Sequence, residues 1–207
     1  MQGEFRSSAL SVVTPAAGLP VSLDAARRNS RIDTTDEDTR LTELLGAATK
    51  YVQRHTDTAL ITQTLSWKMD LFPRTASPLY LPTWPVQSLV SVSYVDMDGA
   101  SQTIPTNTIA LRSPAFGHAR VARQNWEAWP SCKATPDAVD IRFTAGFGAT
   151  HASVPDEFQQ AILLLVSHWF ENREAALAGS MSKEIEFSVS ALIDTIRDSD
   201  GWGLDLR

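Results

Sequence analysis

The stretch from Val154 to Glu174, VPDEFQQAILLLVSHWFENRE, constrains the fold more than any other part of the chain, because it reads as a helix that needs cover on more than one side. Pro155 suits the first helical position, where its missing N–H costs nothing, and Asp156 and Glu157 set negative charge against the positive helix start. Phe158, Ile162, Leu165, Val166, Trp169 and Phe170 recur at helical spacing, and Ala161, Leu163 and Leu164 widen the stripe. A helix apolar over so wide an arc has to meet other elements of a folded core.

The partner is legible upstream. Ser22 is placed to cap a short helix running to Ser30, and Thr35 with Asp38 resembles a capping box opening a longer helix to about His55. Leu41, Leu44, Leu45, Ala48, Tyr51 and Val52 share one face of that second helix, so Leu41, Leu44, Leu45, Tyr51, Ile162, Leu165, Trp169 and Phe170 are the expected helical packing set and the candidate wall of an assembly. Between the helices the period falls to two. Ile61, Leu65, Trp67, Met69 and Leu71 alternate with polar residues; Val90, Val92 and Tyr94 do so in a second strand, and Val139, Ile141 and Phe143 in a later one. Asp98-Gly99 is a hairpin signal, and prolines at 73, 78, 82, 85, 105, 114, 130 and 136 favour short strands over a continuous parallel sheet. The expected fold is α+β: a helical body of about four helices with an inserted, mostly antiparallel β-rich subdomain and an extended C-terminal segment. The expected boundaries are a flexible arm over 1–18, a helical body over 19–57 and 154–187, a β-rich insertion over 58–153, and a C-terminal helix and tail over 188–207.

Several phrases carry a family resemblance. The helix just described, with its AILLLV, HW and ENRE wording, resembles that of the head-to-tail connector (adaptor) proteins of tailed bacteriophages and gene transfer agents. Leu19 to Asp33, the acidic Asp36-Glu37-Asp38, Ala59 to Thr64, Ser91 to Gly99 and Arg142 to Gly148 resemble the same family's phrases in order and spacing. The resemblance covers most of residues 19–174. It implies a ring, typically dodecameric, beneath the portal, continuing the DNA channel and docking the stopper or tail-side proteins. DNA would pass through without sequence-specific binding. The expected location is the head-to-tail junction of the virion, with assembly in the bacterial host cytoplasm. For the portal contact the resemblance suggests the C-terminal segment, where Ile196, Trp202, Leu204 and Leu206 are apolar anchors on an otherwise acidic end.

Charge distribution argues against a chain that grips DNA phosphates, so binding of nucleic acid is disfavoured by the sequence. The formal charge is −6; residues 58–153 hold seven Lys and Arg against six Asp and Glu, whereas residues 171–207 hold four against eight. Sequence-independent affinity for nucleic acid needs clustered cations that release counterions. No run approaches the apolar length of a membrane-spanning helix, and Glu4 and Arg6 stand where an export signal would be apolar. Cys132 is the only cysteine, so no intrachain disulfide forms, and synthesis in a reducing compartment is expected.

A search for reactive groups finds fragments without their partners. Gly146-Phe147-Gly148 follows a strand, but His151 stands where a dinucleotide-binding turn needs its third glycine, which favours a structural turn. His168 and Glu171 lie three apart on a helix without further local ligands, and Cys132 has no His at informative spacing. No catalytic, cofactor-binding or metal-binding residue is therefore assigned, no cofactor is expected, and the chain is read as a non-enzymatic assembly component. Two alternatives remain open: a hydrolase whose site is assembled from distant residues, and a β-rich ligand-binding module with Trp84, Trp126 and Trp129 as its platform.

Overall fold

A computed structural model describes residues 8–73, 75–172 and 188–194. The fold is α+β, and the chain forms two compact units. One holds residues 62–146 and the N-terminal strand; the other holds residues 17–61 and the chain from Phe147 onward.

The helical unit starts with α1 (Leu23–Asn29), which Ser22 caps as its sequence position predicts, its Oγ accepting from the Ala25 N–H at 3.2 Å. Helix α2 (Asp38–Thr56) does not open on the expected capping box. The Asp38 carboxylate instead accepts two hydrogen bonds from Arg27, one from Nε at 2.6 Å and one from Nη2, because a guanidinium fork satisfies both carboxylate oxygens better than a single backbone N–H can. Helix α3 (Asp156–Glu171) packs against α2, and α1 packs against both. Leu41, Leu45, Ala48 and Val52 of α2 and Phe158, Ala161, Ile162, Leu165 and Val166 of α3 are fully buried, as their 3.6-residue spacing requires. Asn29 ties α1 to α3, donating from Nδ2 to the Leu163 carbonyl at 3.2 Å and to Ser167 Oγ at 2.6 Å. Residues 188–194 are helical, with Val189 and Ile193 buried.

The β unit contains a five-stranded antiparallel sheet in the order β1-β2-β8-β4-β5, formed by Ser8–Thr14, Gln63–Met69, Val139–Ala145, Val86–Val95 and Ser101–Ile104. A three-stranded antiparallel sheet in the order β3-β7-β6 comes from Leu79–Tyr80, Arg120–Arg123 and Ile109–Arg112. Leu65, Met69, Val139, Ile141, Phe143 and Val92 are buried on one face of the larger sheet, in register across β2, β8 and β4. The Asp98-Gly99 hairpin signal joins β4 to β5: Gly99 has φ +86°, and Asp96 Oδ1 accepts the backbone N–H groups of Asp98 and Ala100.

Two sequence expectations are corrected here. Residues Ser8–Thr14, expected within a flexible arm, pair antiparallel with β2 as an edge strand. All seven are exposed, so backbone hydrogen bonds and β-prone Val and Thr hold this strand without the burial that marks a core strand in sequence. Val90, expected to alternate inward with Val92, is 50% exposed. A β-bulge between Leu89 and Ser91 inserts Val90 as an extra residue, so Leu89 and Val92 share the inner face although three positions separate them.

Candidate interaction surfaces

The helical packing set divides by exposure. Leu41, Leu45, Ile162, Leu165 and Trp169 are buried within the unit, while Leu44, Tyr51 and Phe170 are half-buried. The half-buried residues define two surface features. Arg40 lies 5.1 Å over the Phe170 ring, a cation–π contact. Leu44, Ala47, Lys50, Tyr51, Arg54, His55 and Trp169 line an open cleft of about 450 Å³. Tyr51 organises it, tilted against His55 at 4.3 Å between ring centres and edge-on to Trp169 at 6.4 Å. The indole Nε1 of Trp169 is buried with no hydrogen-bond partner among the described residues. This surface joins apolar area to the two cations Lys50 and Arg54, a composition suited to contact with another chain.

Three solved structures resemble the chain over nearly its whole length. The neck of an empty gene transfer agent particle computed with C6 symmetry matches with a TM-score of 0.76 at 25% identity, covering 90% of this chain and 94% of that one. The virion of a native gene transfer agent particle matches at 0.72 and 26% identity, with coverage of 90% and 94%. The neck of the native particle computed with C12 symmetry matches at 0.66 and 25%, with coverage of 90% and 93%. The fold is that of a gene transfer agent neck protein. It is consistent with the head-to-tail connector family whose phrases the sequence carries. No protein-family model and no curated protein matches the chain.

Within this neck-protein fold the other sequence candidates fall as follows. The expected portal-contact residues Ile196, Trp202, Leu204 and Leu206 lie outside the described residues, as do 173–187 of the expected helical body. The three-tryptophan platform does not form. Trp84 and Trp129 are 5% and 7% exposed, and Trp129 stacks on Phe72 at 4.9 Å while its Nε1 donates to the Ser77 carbonyl at 3.0 Å. Their apolar area is spent inside the β unit, where no alternating strand pattern flagged them; Trp126 alone of the three is exposed, at 65%.

The remaining candidates resolve into structural contacts. Gly146, with φ +133°, turns the chain between β8 and α3, its N–H donating to the Pro85 carbonyl, and the next N–H, of Phe147, reaches the Leu60 carbonyl. A Cβ on Gly148 would meet the Ser153 side chain at 2.4 Å, so this glycine allows close packing. His168 Nδ1 lies 3.3 Å from the Asn172 amide, and its Nε2 is buried without a partner among the described residues. Among the described residues no three His, Cys, Asp or Glu side chains come together to hold a metal ion. Also among those residues, no helix is long and apolar enough to cross a membrane.

The sequence reading missed one surface. On the outward face of the three-stranded sheet, Tyr80, Arg120 and Arg112 stand in one cross-strand row, with Ala122 and Ala110 opposed beside it. Neither Arg112 nor Arg120 has an ion-pair partner among the described residues. The only local hint is the R-x-x-R spacing of Arg120 and Arg123; pairing with Arg112 depends on hairpin register, which a net regional charge near zero conceals.

Proposed function

We propose that the chain is a structural head-to-tail connector that forms a ring, dodecameric in the particle, beneath the portal. The ring continues the DNA channel and docks stopper or tail-side proteins at the virion's head-to-tail junction; its subunits are made in the bacterial host cytoplasm. The observation that carries this reading is the likeness, over 90% of the chain, to neck structures computed with C6 and C12 symmetry. A closed ring needs heterologous contacts, in which one face of each subunit meets a different face of the next. The cleft beside Tyr51, with its mixed apolar and cationic lining, supplies one such face in this reading. The work done is binding and alignment, with no bond made or broken.

In the same reading Ile196, Trp202, Leu204 and Leu206 anchor the subunit to the portal. Each buried large side chain contributes roughly 1.5 to 3 kcal/mol before ordering costs, and repetition around a ring turns weak contacts into a stable joint. Electron microscopy of the protein mixed with the portal of the same particle tests this. The full chain should decorate portals as a ring, and a chain lacking residues 198–207 should melt like the full chain yet leave portals bare. Normal decoration by the shortened chain would sink the anchoring role, and failure of the full chain to bind portals would sink the connector reading.

A further inference from the structure

The basic outward face of the three-stranded sheet goes beyond the connector reading, because it has the makings of a ligand site within a single subunit. A cleft of about 300 Å³ opens there, lined by Arg112, Arg120, Ala110, Ala122, Asn125 and Trp126 among others. Arg112 and Arg120 are direct cross-strand partners, a juxtaposition of like charges that costs stability unless an anion sits between them. No carboxylate in this part of the chain relieves it. From Pro105 to Cys132 the only acid is Glu127, and it pairs with Arg123 at 2.7 Å. The wall of the cleft is equally specific. Asn125 and Trp126 both adopt left-handed backbone conformations, φ +54° and +57°, readily accommodated by Asn but uncommon for a bulky Trp, and Trp126 is left 65% exposed with no aromatic ring contact among the described residues.

We propose that this cleft binds a nucleotide unit of a nucleic-acid strand, its phosphate held between Arg112 and Arg120 and its base stacked on Trp126. Facing guanidinium groups match the several acceptor oxygens of one phosphate, and an indole accepts the face of any base, so the contact carries no sequence preference. The opposed Ala110 and Ala122 leave the floor shallow, and Tyr80, 40% exposed, stands beside Arg120 in the same cross-strand row. A cleft of this volume suits one nucleotide better than the broad, flat contact of a stable protein interface. The overall charge of −6 opposes long-range attraction, so the site acts on a strand already brought close rather than recruiting one from solution.

The test uses the full-length chain and fluorescence anisotropy of a labelled oligo-thymidylate, with a duplex of equal length, thymidine monophosphate and inorganic phosphate as further arms. Oligo-thymidylate should bind saturably at low salt and weaken steeply as salt rises. R112E/R120E should weaken it about tenfold or more, and W126A about fivefold or more, with a smaller effect of W126A on the duplex. Thymidine monophosphate should compete better than inorganic phosphate; competition by the mononucleotide as strong as by the oligonucleotide would assign the cleft to free nucleotides. Thermal melting of R112E/R120E should match the parent, and R112Q/R120Q replaces it if the charge reversal misfolds. Absence of saturable binding, unchanged affinity in R112E/R120E, or equal competition by inorganic phosphate would each overturn the proposal. Loss of portal decoration in R112E/R120E, with no oligonucleotide binding by the parent, would give the cleft to a neighbouring protein while leaving the connector reading intact.

Discussion

Large apolar side chains are treated differently in the two units. In the helical unit only Leu164 among the described residues stands out to solvent, whereas the β unit exposes Leu10, Val12, Val13, Tyr80, Val90, Met97 and Trp126. A helix gathers its apolar residues on a stripe that another helix can cover, and α2 and α3 cover most of theirs, leaving Leu44, Tyr51 and Phe170 half-buried. A sheet exposes apolar residues at its edges, bulges and turns. Leu10 and Val12 lie on an edge strand, Val13 and Val90 at bulges, and Met97 and Trp126 in turns. Both units bury a core, but the helical unit leaves fewer large apolar side chains at its surface than the β unit does.

The comparison is most easily broken by truncating the helical core. Phe158→Ala removes a fully buried ring and should cost about 3 to 5 kcal/mol in urea unfolding. A loss below about 1 kcal/mol would mean that the α2–α3 core is not packed as closely as its burial implies.

A smaller effect separates the two units by charge. Asp38 is held below the usual carboxylate range chiefly by the hydrogen bond from Arg27, with the Arg27 charge adding to it and partial desolvation opposing both. Asp96 in the β4–β5 hairpin is lowered by neutral donors instead, first the Gln102 amide and then the backbone N–H of Ala100, again against desolvation. A carboxylate lowered on folding stabilises above its unfolded pKa of about 4 and loses that contribution as pH falls through its lower folded value. Arg27→Gln should return the Asp38 titration toward its ordinary range, leave Asp96 unmoved, and narrow its stability deficit against the parent as the solution is acidified below about pH 4. Carboxyl NMR titration reads the first two effects and denaturation at several pH values the third. Movement of both carboxylates together would erase the distinction.

The least effect is expected at the sheet edge. Val12→Lys, at a position 55% exposed, should change stability by less than about 0.5 kcal/mol in the same unfolding assay. A larger loss in the isolated chain would show that this strand carries packing energy, against its exposed pattern.

How far the sequence reaches differs element by element. The Ser22 cap, the spacing of Leu41, Leu45, Phe158, Ile162 and Leu165, and the Asp98-Gly99 turn are local chemistry, and each takes its expected place. Asp38 is the exception among the helix starts, because a guanidinium eleven residues upstream competes successfully for its carboxylate. In the candidate surfaces, Leu44, Tyr51 and Trp169 were visible as a helix face, but their convergence with Lys50 and Arg54 around one cleft was not.

Side-chain period and backbone capping act within a few residues, so the sequence by itself determined the two long helices, the alternating strands and the α+β class. Strand neighbours, bulge positions and the fate of residues outside any periodic pattern depend on pairings across tens of residues. Only the tertiary structure therefore decided that Ser8–Thr14 joins the sheet, that Val90 points out, that Trp84 and Trp129 are buried, and that Arg112 faces Arg120 beside an exposed Trp126. A hairpin's register is fixed by the whole set of hydrogen bonds and buried neighbours it satisfies, and no single residue carries that information.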